Sequence, residues 1–252
     1  MGGMMATPEP DASRAHGIRF LILFPGRTGS SWLVSALQSH PDVRAEGEIL
    51  VKQDAGSQRR MLEERYASAP AAGTAIGFKT KLKDVADLED LRRRIEATPL
   101  HLLLMRRADL IRLAISRITA RRLHQHSGRW NLDHRTSAAP TRPIDPQELI
   151  EAIDHCDTTV RELEAFAEGL EVPRLEVEYA EILGDPEATL ARVQQFLGVV
   201  ARPLESGVRK NTGEDLHVAI PNLPALLEAI EASRWSPLLS RFDPRREVLP
   251  PR

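Results

Sequence analysis

The sequence predicts a three-layer α/β fold, in which helices flank both faces of a mainly parallel central sheet. Short apolar runs of strand length alternate along the chain with longer amphipathic runs, as in proteins of this class. The first apolar run leads at once through a glycine-bearing loop into a helical pattern. Hydrophobic residues make up 42% of the 252 residues, which is enough for a substantial core.

Four segments have the length and composition of strands. The first, residues 18–24, is apolar except at Arg19, which predicts a strand buried on both faces. Helices are predicted where apolar residues recur at helical spacing, and Pro41 and Gly198 mark the ends of two of them. The predicted strands are 18–24, 75–79, 100–105 and 174–179, and the predicted helices are 30–39, 58–67, 84–97, 109–123, 146–168, 186–197 and 223–232.

We expect one domain over residues 17–252, preceded by a disordered tail over residues 1–16. The tail is rich in Gly, Ala and Pro and lacks the apolar stretch of a signal peptide. Residues 124–146 are polar, rich in His and Arg, and without periodicity. A stretch of this length is typical of a functional loop, so a mobile loop is expected there.

Composition excludes several classes of function. A formal net charge of −2 argues against a nucleic-acid partner, because such proteins normally carry a basic excess. Cys156 is the only cysteine, so an intrachain disulfide and a cysteine-based zinc site are both excluded. No cluster of His, Cys or Asp has convincing metal-ligand spacing, and no apolar run is long enough to span a bilayer. A cytoplasmic protein without a metal is therefore expected.

The loop after the first strand has the features of an anion-binding site. Residues 26–32 read GRTGSSW, so a glycine turn leads into the N-terminus of a helix. Unpaired backbone N–H groups and the helix dipole favour an anion there, and Arg27 adds a planar donor fork. A Walker A loop has four residues between its glycines and then a lysine, whereas two residues separate these glycines and Ser30 follows. The loop therefore suits one phosphate or sulfate group better than a triphosphate.

This loop resembles the 5′-phosphosulfate-binding loop of the sulfotransferases, which use 3′-phosphoadenosine 5′-phosphosulfate (PAPS) as co-substrate and release 3′-phosphoadenosine 5′-phosphate (PAP). The resemblance implies a P-loop NTPase-like form of the predicted fold. It also implies that Arg27 takes the place of the family's catalytic lysine or arginine. Trp32 matches a position that lies on the adenine in some members, with a core position in the helix as the equal alternative. The residues that would hold the 5′-phosphate are Thr28, Gly29, Ser30 and Ser31.

A second cationic segment stands where the third strand meets a helix. Residues 102–109 read LLLMRRAD, and cations at a helix N-terminus oppose the helix dipole unless an anion lies between them. The segment resembles the family's 3′-phosphate motif, with Arg107 as the first choice, Arg106 as the alternative, and Ser116 two turns later. Weaker resemblances extend the nucleotide site to Tyr179, beside the adenine, and to Arg209 and Lys210, near the 3′-phosphate.

An acceptor hydroxyl needs a general base within hydrogen-bond reach. Residues 39–48, SHPDVRAEGE, resemble a run in the tyrosylprotein sulfotransferases, and on that match Glu48 falls on the catalytic glutamate. Glu46 is the alternative. Lys79 resembles a lysine that lies near the sulfuryl group in the family, with Lys81 one strand step further.

The sequence thus predicts a PAPS-dependent sulfotransferase, similar in motif style to bacterial carbohydrate and small-molecule members. The expected acceptor is the hydroxyl of a carbohydrate, a glycolipid or a secondary metabolite. Trp130, set among polar residues in 124–146, is expected to stack on such an acceptor, unless that segment is a solvated linker. Two alternatives remain. A P-loop kinase or other phosphotransferase shares the layout but should have a Walker lysine, and a non-catalytic nucleotide-binding module would leave Glu48 and Lys79 idle.

Overall fold

The computed structural model describes residues 16–67, 69–132, 142–208, 213 and 215–247. Within these ranges five strands form one sheet in the order β2-β3-β1-β4-β5, and every neighbouring pair is parallel. The predicted α/β class with a mainly parallel sheet is confirmed. The strands are β1 (Ile18–Leu23), β2 (Val43–Glu46), β3 (Ala75–Thr80), β4 (Leu100–Arg106) and β5 (Arg174–Glu178).

Nine α-helices connect or follow these strands in the described residues, with 3₁₀ turns at Leu82–Asp84 and Ser236–Arg241. The helices are α1 (Ser30–Gln38), α2 (Ala55–Tyr66), α3 (Leu88–Ala97), α4 (Leu110–Ser127), α5 (Pro146–Glu168), α6 (Tyr179–Gly184), α7 (Pro186–Phe196), α8 (Leu216–Ala219) and α9 (Leu223–Glu231).

The central strand shows how the layers form. In β1, Phe20 and Ile22 face one apolar cluster, whereas Leu21 and Leu23 face another. The first cluster packs the sheet against α1, α6 and α7, and the second packs it against α2, α3 and α5. Residues on both faces of β1 are buried, which explains why its sequence is a nearly continuous apolar run. A third cluster joins α4, α5 and α9 beside the sheet.

Strand order places the site. The carboxyl ends of parallel strands meet at one edge of a sheet, and β1 lies between β3 and β4. The loop after β1 is therefore flanked by residues near the ends of β3 and β4. These two ends carry Lys79 and Arg107, which are separate from the loop in sequence.

Several predicted elements needed correction. Strand β2 was missed, because its four residues alternate and run directly into acidic residues. Helix α4 continues to Ser127, where Gly128 in the left-handed region ends it, so 124–127 are helical rather than loop. A short helix, α8, lies between the predicted helices 186–197 and 223–232, where no element was predicted.

Some predictions lie outside the described residues. These are the tail up to residue 15, the part of the 124–146 loop that spans 133–141, and the basic pair Arg209 and Lys210. None of the described helices is long and apolar enough to cross a membrane.

Candidate active site

The loop between β1 and α1 has a backbone shaped to present its amides. Gly26, Arg27 and Gly29 all have positive φ angles, of 105°, 58° and 80°. The N-cap of α1 is Gly29, which has no side chain to accept hydrogen bonds. The amides of the first helical turn are therefore not capped by a side chain. The hydroxyl of Thr28 is buried and has no hydrogen-bond partner among the described residues. An oxyanion seated on this loop would satisfy these donors, so the loop fits a bound phosphate or sulfate group.

Gly29 is required by space as well as by its φ angle. A Cβ atom at this position would lie 3.1 Å from side-chain atoms of both Tyr179 and Ile182. Any larger residue would therefore push α6 away from the loop. This close packing keeps Tyr179 beside the loop that is predicted to bind the phosphate.

Lys79 supplies the loop with a cation from the neighbouring strand. Its buried ammonium group donates to Ser31 Oγ at 2.7 Å and to Ser30 Oγ at 3.4 Å. It also lies 3.4 Å from the carboxylate of Glu48. Burial lowers the pKa of Lys79, while Glu48 opposes that shift. The structure thus brings together three residues that the sequence analysis selected from separate segments.

Glu48, rather than Glu46, faces this cluster. Its carboxylate forms ion pairs with Lys81 and Lys79. Burial would raise the pKa of Glu48, but hydrogen bonds and charges from the two lysines outweigh it and lower the pKa below 4.5. The group is therefore ionised at neutral pH. Glu46 instead pairs with Arg44 and Arg65, away from the loop.

Arg27 lies at the centre of a polar network that links the loop to α4 and to the segment after α4. Its Nε donates to Ser116 Oγ at 3.3 Å, and its Nη1 donates to Trp130 O at 3.1 Å and Asn131 Oδ1 at 2.9 Å. Burial and the nearby charge of Arg107 lower the pKa of Arg27 to about 10, so the guanidinium stays charged at neutral pH. A half-buried cation of this kind interacts strongly with a neighbouring anion.

Asn131 belongs to the site although sequence reasoning missed it. Its amide oxygen accepts from Arg27, and its Nδ2 donates to Ser31 Oγ at 3.2 Å. Asn131 therefore joins the Arg27 and Lys79 groups through Ser31. It lies in a segment without periodicity, and the only sequence signal was the adjacent Trp130, whose ring stacks on His124 at 4.2 Å.

Arg107 is held in place by a carboxylate that the sequence analysis did not select. Nε and Nη2 of Arg107 donate to the two oxygens of Glu247 at 2.7 Å and 2.8 Å, and the two side chains are only 4% and 2% exposed. Arg107 Nη1 also donates to the Arg27 carbonyl at 3.1 Å. Its guanidinium lies over the Tyr179 ring, 4.3 Å from the centroid. Arg106 points elsewhere and pairs with Glu164 and Glu176.

Two cavities meet at Arg27. One, of about 290 Å³, is lined by the loop, Trp32, Arg107, Ser116 and Tyr179. The other, of about 420 Å³, is lined by Glu48, Lys81, Trp130 and one face each of α4 and α5. Trp32 lines the first cavity and also packs against the core, so the two alternatives for it are compatible. The residues common to both cavities are Arg27, Ser30, Ser31 and Asn131.

His40 follows α1 closely in sequence but lies outside the site. His40 is buried at the end of α1, where its Nε2 lies 2.8 Å from Val200 O and its Nδ1 accepts from the amide of Asp42. It supports the chain beyond α1 and does not line either cavity. Across the described ranges, no group of three or more His, Cys, Asp or Glu side chains is placed to hold a metal ion.

Comparison with known proteins gave one curated relative. No family model matches the chain. Over 200 residues the chain is 27% identical to Nodulation protein H of Rhizobium meliloti, and the alignment covers 73% of this chain and 79% of that protein.

Several solved structures are similar at low sequence identity. A sulfotransferase from Alicyclobacillus acidocaldarius is 18% identical with a TM-score of 0.47, covering 92% of this chain and 97% of that one. A mouse sulfotransferase complexed with PAP is 12% identical with a TM-score of 0.46, and the match covers 74% of this chain and 61% of the mouse chain. The sulfotransferase domain from the curacin biosynthetic pathway is 16% identical with a TM-score of 0.43, covering 76% and 77%. The chain is thus similar to these solved sulfotransferases at low sequence identity.

Proposed function

We propose that this protein is a sulfotransferase that moves a sulfuryl group from PAPS to an acceptor hydroxyl. One observation carries the proposal. Lys79 donates to both serines of the loop and pairs with Glu48. Arg27 is linked to Ser31 through Asn131, at the place where the two cavities meet. A transfer reaction needs a donor site and an acceptor site that open onto one set of charged groups, and this arrangement provides both.

In the donor cavity, the loop holds the 5′-phosphosulfate. The unpartnered Thr28 hydroxyl and the first-turn amides of α1 support this placement. Tyr179 and Trp32 line the same cavity and are assigned to the adenine. Arg107 and Ser116 are assigned to the 3′-phosphate, which then has to displace or share the contact with Glu247. Arg209 and Lys210 are assigned to the same phosphate on the motif resemblance alone.

The reaction is a direct in-line transfer. The acceptor oxygen forms a bond to sulfur while the bond from sulfur to the 5′-phosphate oxygen breaks, and PAP leaves with the electron pair of that bond. Glu48 takes the proton of the hydroxyl. Arg27 and Lys79 stabilise the negative charge that develops on the departing phosphate oxygen. Positioning and charge stabilisation supply most of the acceleration in group transfers of this type.

The placement of Lys79 favours this function over phosphoryl transfer from a triphosphate. In a Walker A loop the lysine belongs to the loop itself and reaches the β- and γ-phosphates. Here the equivalent charge comes from β3 and is already bound to Ser31 and paired with Glu48. A single phosphosulfate group matches the short loop and the lysine that β3 supplies to it.

The acceptor is a small molecule or a carbohydrate, with a hydroxyl on a sugar, a glycolipid or a secondary metabolite. Its cavity is lined by Trp130 and by polar and apolar side chains of α4 and α5. This lining suits a molecule that has both polar and apolar parts. We propose a cytoplasmic location, which fits a chain whose single cysteine, Cys156, can form no intrachain disulfide.

A thermal-shift comparison of nucleotides tests the donor assignment. PAP stabilises the native state and raises Tm in proportion to the logarithm of its concentration, while ATP with Mg²⁺ has little effect. A larger shift with ATP and Mg²⁺ than with PAP would favour a phosphotransferase. A PAP shift that leaves transfer undetectable and is unchanged in Glu48→Gln would favour a non-catalytic binding module.

A further inference from the structure

The cavity beside Glu48 carries more positive charge than its own carboxylates balance. Most cations on its wall already have partners. Lys81 pairs with Glu48 and Asp84, Arg121 pairs with Glu148, and Arg27 is bound in the network with Ser116 and Asn131. These contacts account for three of the five arginines and lysines that line the cavity in the described residues.

The other two cations, Lys83 and Arg117, differ from these. In the part of the chain that the structure describes, neither side chain forms a hydrogen bond or an ion pair. Both are exposed at the cavity, Lys83 from the turn after β3 and Arg117 from α4. They come from separate elements that line the same cavity.

His155 lines the same cavity and lies close enough to both cations for their charges to affect its pKa. It lies on the α5 face of the cavity, and burial together with the charges of Arg117 and Lys83 lowers its pKa, while Glu162 opposes the shift. Glu162 is one carboxylate against two cations, and it pairs with neither of them. Among the described residues, the lining of this cavity therefore has more cations than carboxylates.

We propose that the acceptor carries an acidic group, which Lys83 and Arg117 bind while its hydroxyl faces Glu48. This inference rests on the proposed function. Carboxylate, phosphate and sulfate groups all form charge-assisted hydrogen bonds with such a pair, and the planar guanidinium of Arg117 suits two of their oxygens at once. Apolar side chains that line the same cavity, including Leu113 and Leu163, contact the apolar part of the acceptor. The excess of cations also steers an anionic acceptor towards the cavity.

Matched pairs of hydroxyl compounds test the inference on the PAP-bound protein. One pair is a hydroxyaryl carboxylate and its methyl ester, and the other is a sugar phosphate and the neutral sugar. Ligand-observed NMR titration gives the Kd of each compound, and transfer from PAPS is measured in parallel. We expect an acid to bind about tenfold more tightly than its neutral partner, and the pair that shows the difference identifies the acidic group.

Variants connect that preference to the two cations. The double variant Lys83→Gln/Arg117→Gln loses the preference and keeps its affinity for PAP. The control Arg161→Gln, on the exposed side of α5 and outside this cavity, keeps both. Equal binding of both members in each pair, or a preference that survives in the double variant, overturns the inference. Failure of the wild-type protein to bind PAP would instead count against the proposed function.

Discussion

Arg27 combines a strained backbone with a central position in the site. Its φ of 58° lies in the left-handed region, where a non-glycine residue costs about 1–3 kcal/mol. Strain of this kind persists where the surroundings determine the conformation. Here the Arg27 side chain binds Ser116 and Asn131, and its carbonyl accepts from Arg107. The position therefore favours glycine for stability and arginine for chemistry.

Replacing Arg27 separates those two properties. Arg27→Gly relieves the backbone strain, so we expect a Tm equal to or above that of the wild type, while kcat for sulfuryl transfer falls about 10²- to 10³-fold. Thermal unfolding and steady-state kinetics measure the two effects. Wild-type turnover in a folded Arg27→Gly protein would remove Arg27 from the mechanism.

Glu48 and Glu46 form a matched pair two residues apart. Glu48→Gln removes the proposed base, so transfer should fall by at least about 10²-fold, whereas Glu46→Gln loses only its ion pairs with Arg44 and Arg65. Because the lysines lower the pKa of Glu48, the acid limb of kcat/KM should lie below 4.5. A pH–rate profile of the two variants measures this. An acid limb that persists in Glu48→Gln would assign the base to another group.

At the scale of elements, the segment over residues 243–247 occupies the guanidinium of Arg107. Its Glu247 forms the buried bidentate contact that a phosphate would make, and Arg112 holds the same segment by donating to Asp243 O at 2.7 Å. If the 3′-phosphate binds Arg107, the carboxylate of Glu247 competes with it. The segment then lowers the affinity of the free protein for the donor.

Glu247→Gln tests that competition. The variant keeps the size of the side chain and loses its charge, so we expect PAP to bind about tenfold more tightly, with no change for AMP, which lacks the 3′-phosphate. Calorimetric titration gives both affinities. An equal loss of affinity for PAP and AMP would mean that Glu247 supports the fold and that Arg107 does not read the 3′-phosphate.

The N-cap of α4 gives a stability prediction. Asp109 accepts from the amide of Arg112, and burial together with the charge of Glu247 raises the pKa of Asp109 from 3.8 to about 6. Folding therefore favours the protonated form of Asp109. This preference stabilises the native state below about pH 4, and the stabilisation is lost as the pH rises from about 4 through 6. The shift corresponds to about 3 kcal/mol at most.

Asp109→Asn keeps the cap and removes the ionisation. Relative to wild type, its free energy of unfolding should increase between about pH 4 and pH 7. Denaturant titrations at a series of pH values measure the difference. Asp87→Asn at the exposed N-cap of α3 serves as the control. A difference that stays constant across this range would contradict the burial of an ionisable Asp109.

Sequence patterns predicted elements well where burial was strong and poorly where it was not. The continuous apolar runs of β1 and β4 predicted their strands closely, because both faces of these strands are covered. Strand β2 has only four residues at the edge of the sheet, and its alternation is too short to distinguish from loop. The last turn of α4 was missed because His124 and Gln125 give no apolar signal.

At the scale of the whole molecule, local motifs identified those site residues that share a loop or a strand end. Arg27, Ser30 and Ser31 lie within five residues of sequence, and the order of the parallel strands then brings Lys79 and Arg107 to them. Asn131 and Glu247 could not be predicted. They reach Arg27 and Arg107 from 104 and 140 residues away, through segments without periodicity. Such contacts depend on how loops cross the finished sheet, which no local pattern encodes.

The most direct test of the central claim is the transfer reaction itself. The protein is incubated with PAPS labelled in its sulfuryl group and with a panel of hydroxyl compounds that includes the acidic and neutral pairs. Labelled sulfate ester and PAP should appear in equal amounts, and both should be lost in Arg27→Gly and Glu48→Gln while Glu46→Gln retains them. Failure to form a labelled ester with any acceptor, together with stronger stabilisation by ATP and Mg²⁺ than by PAP, would contradict the account.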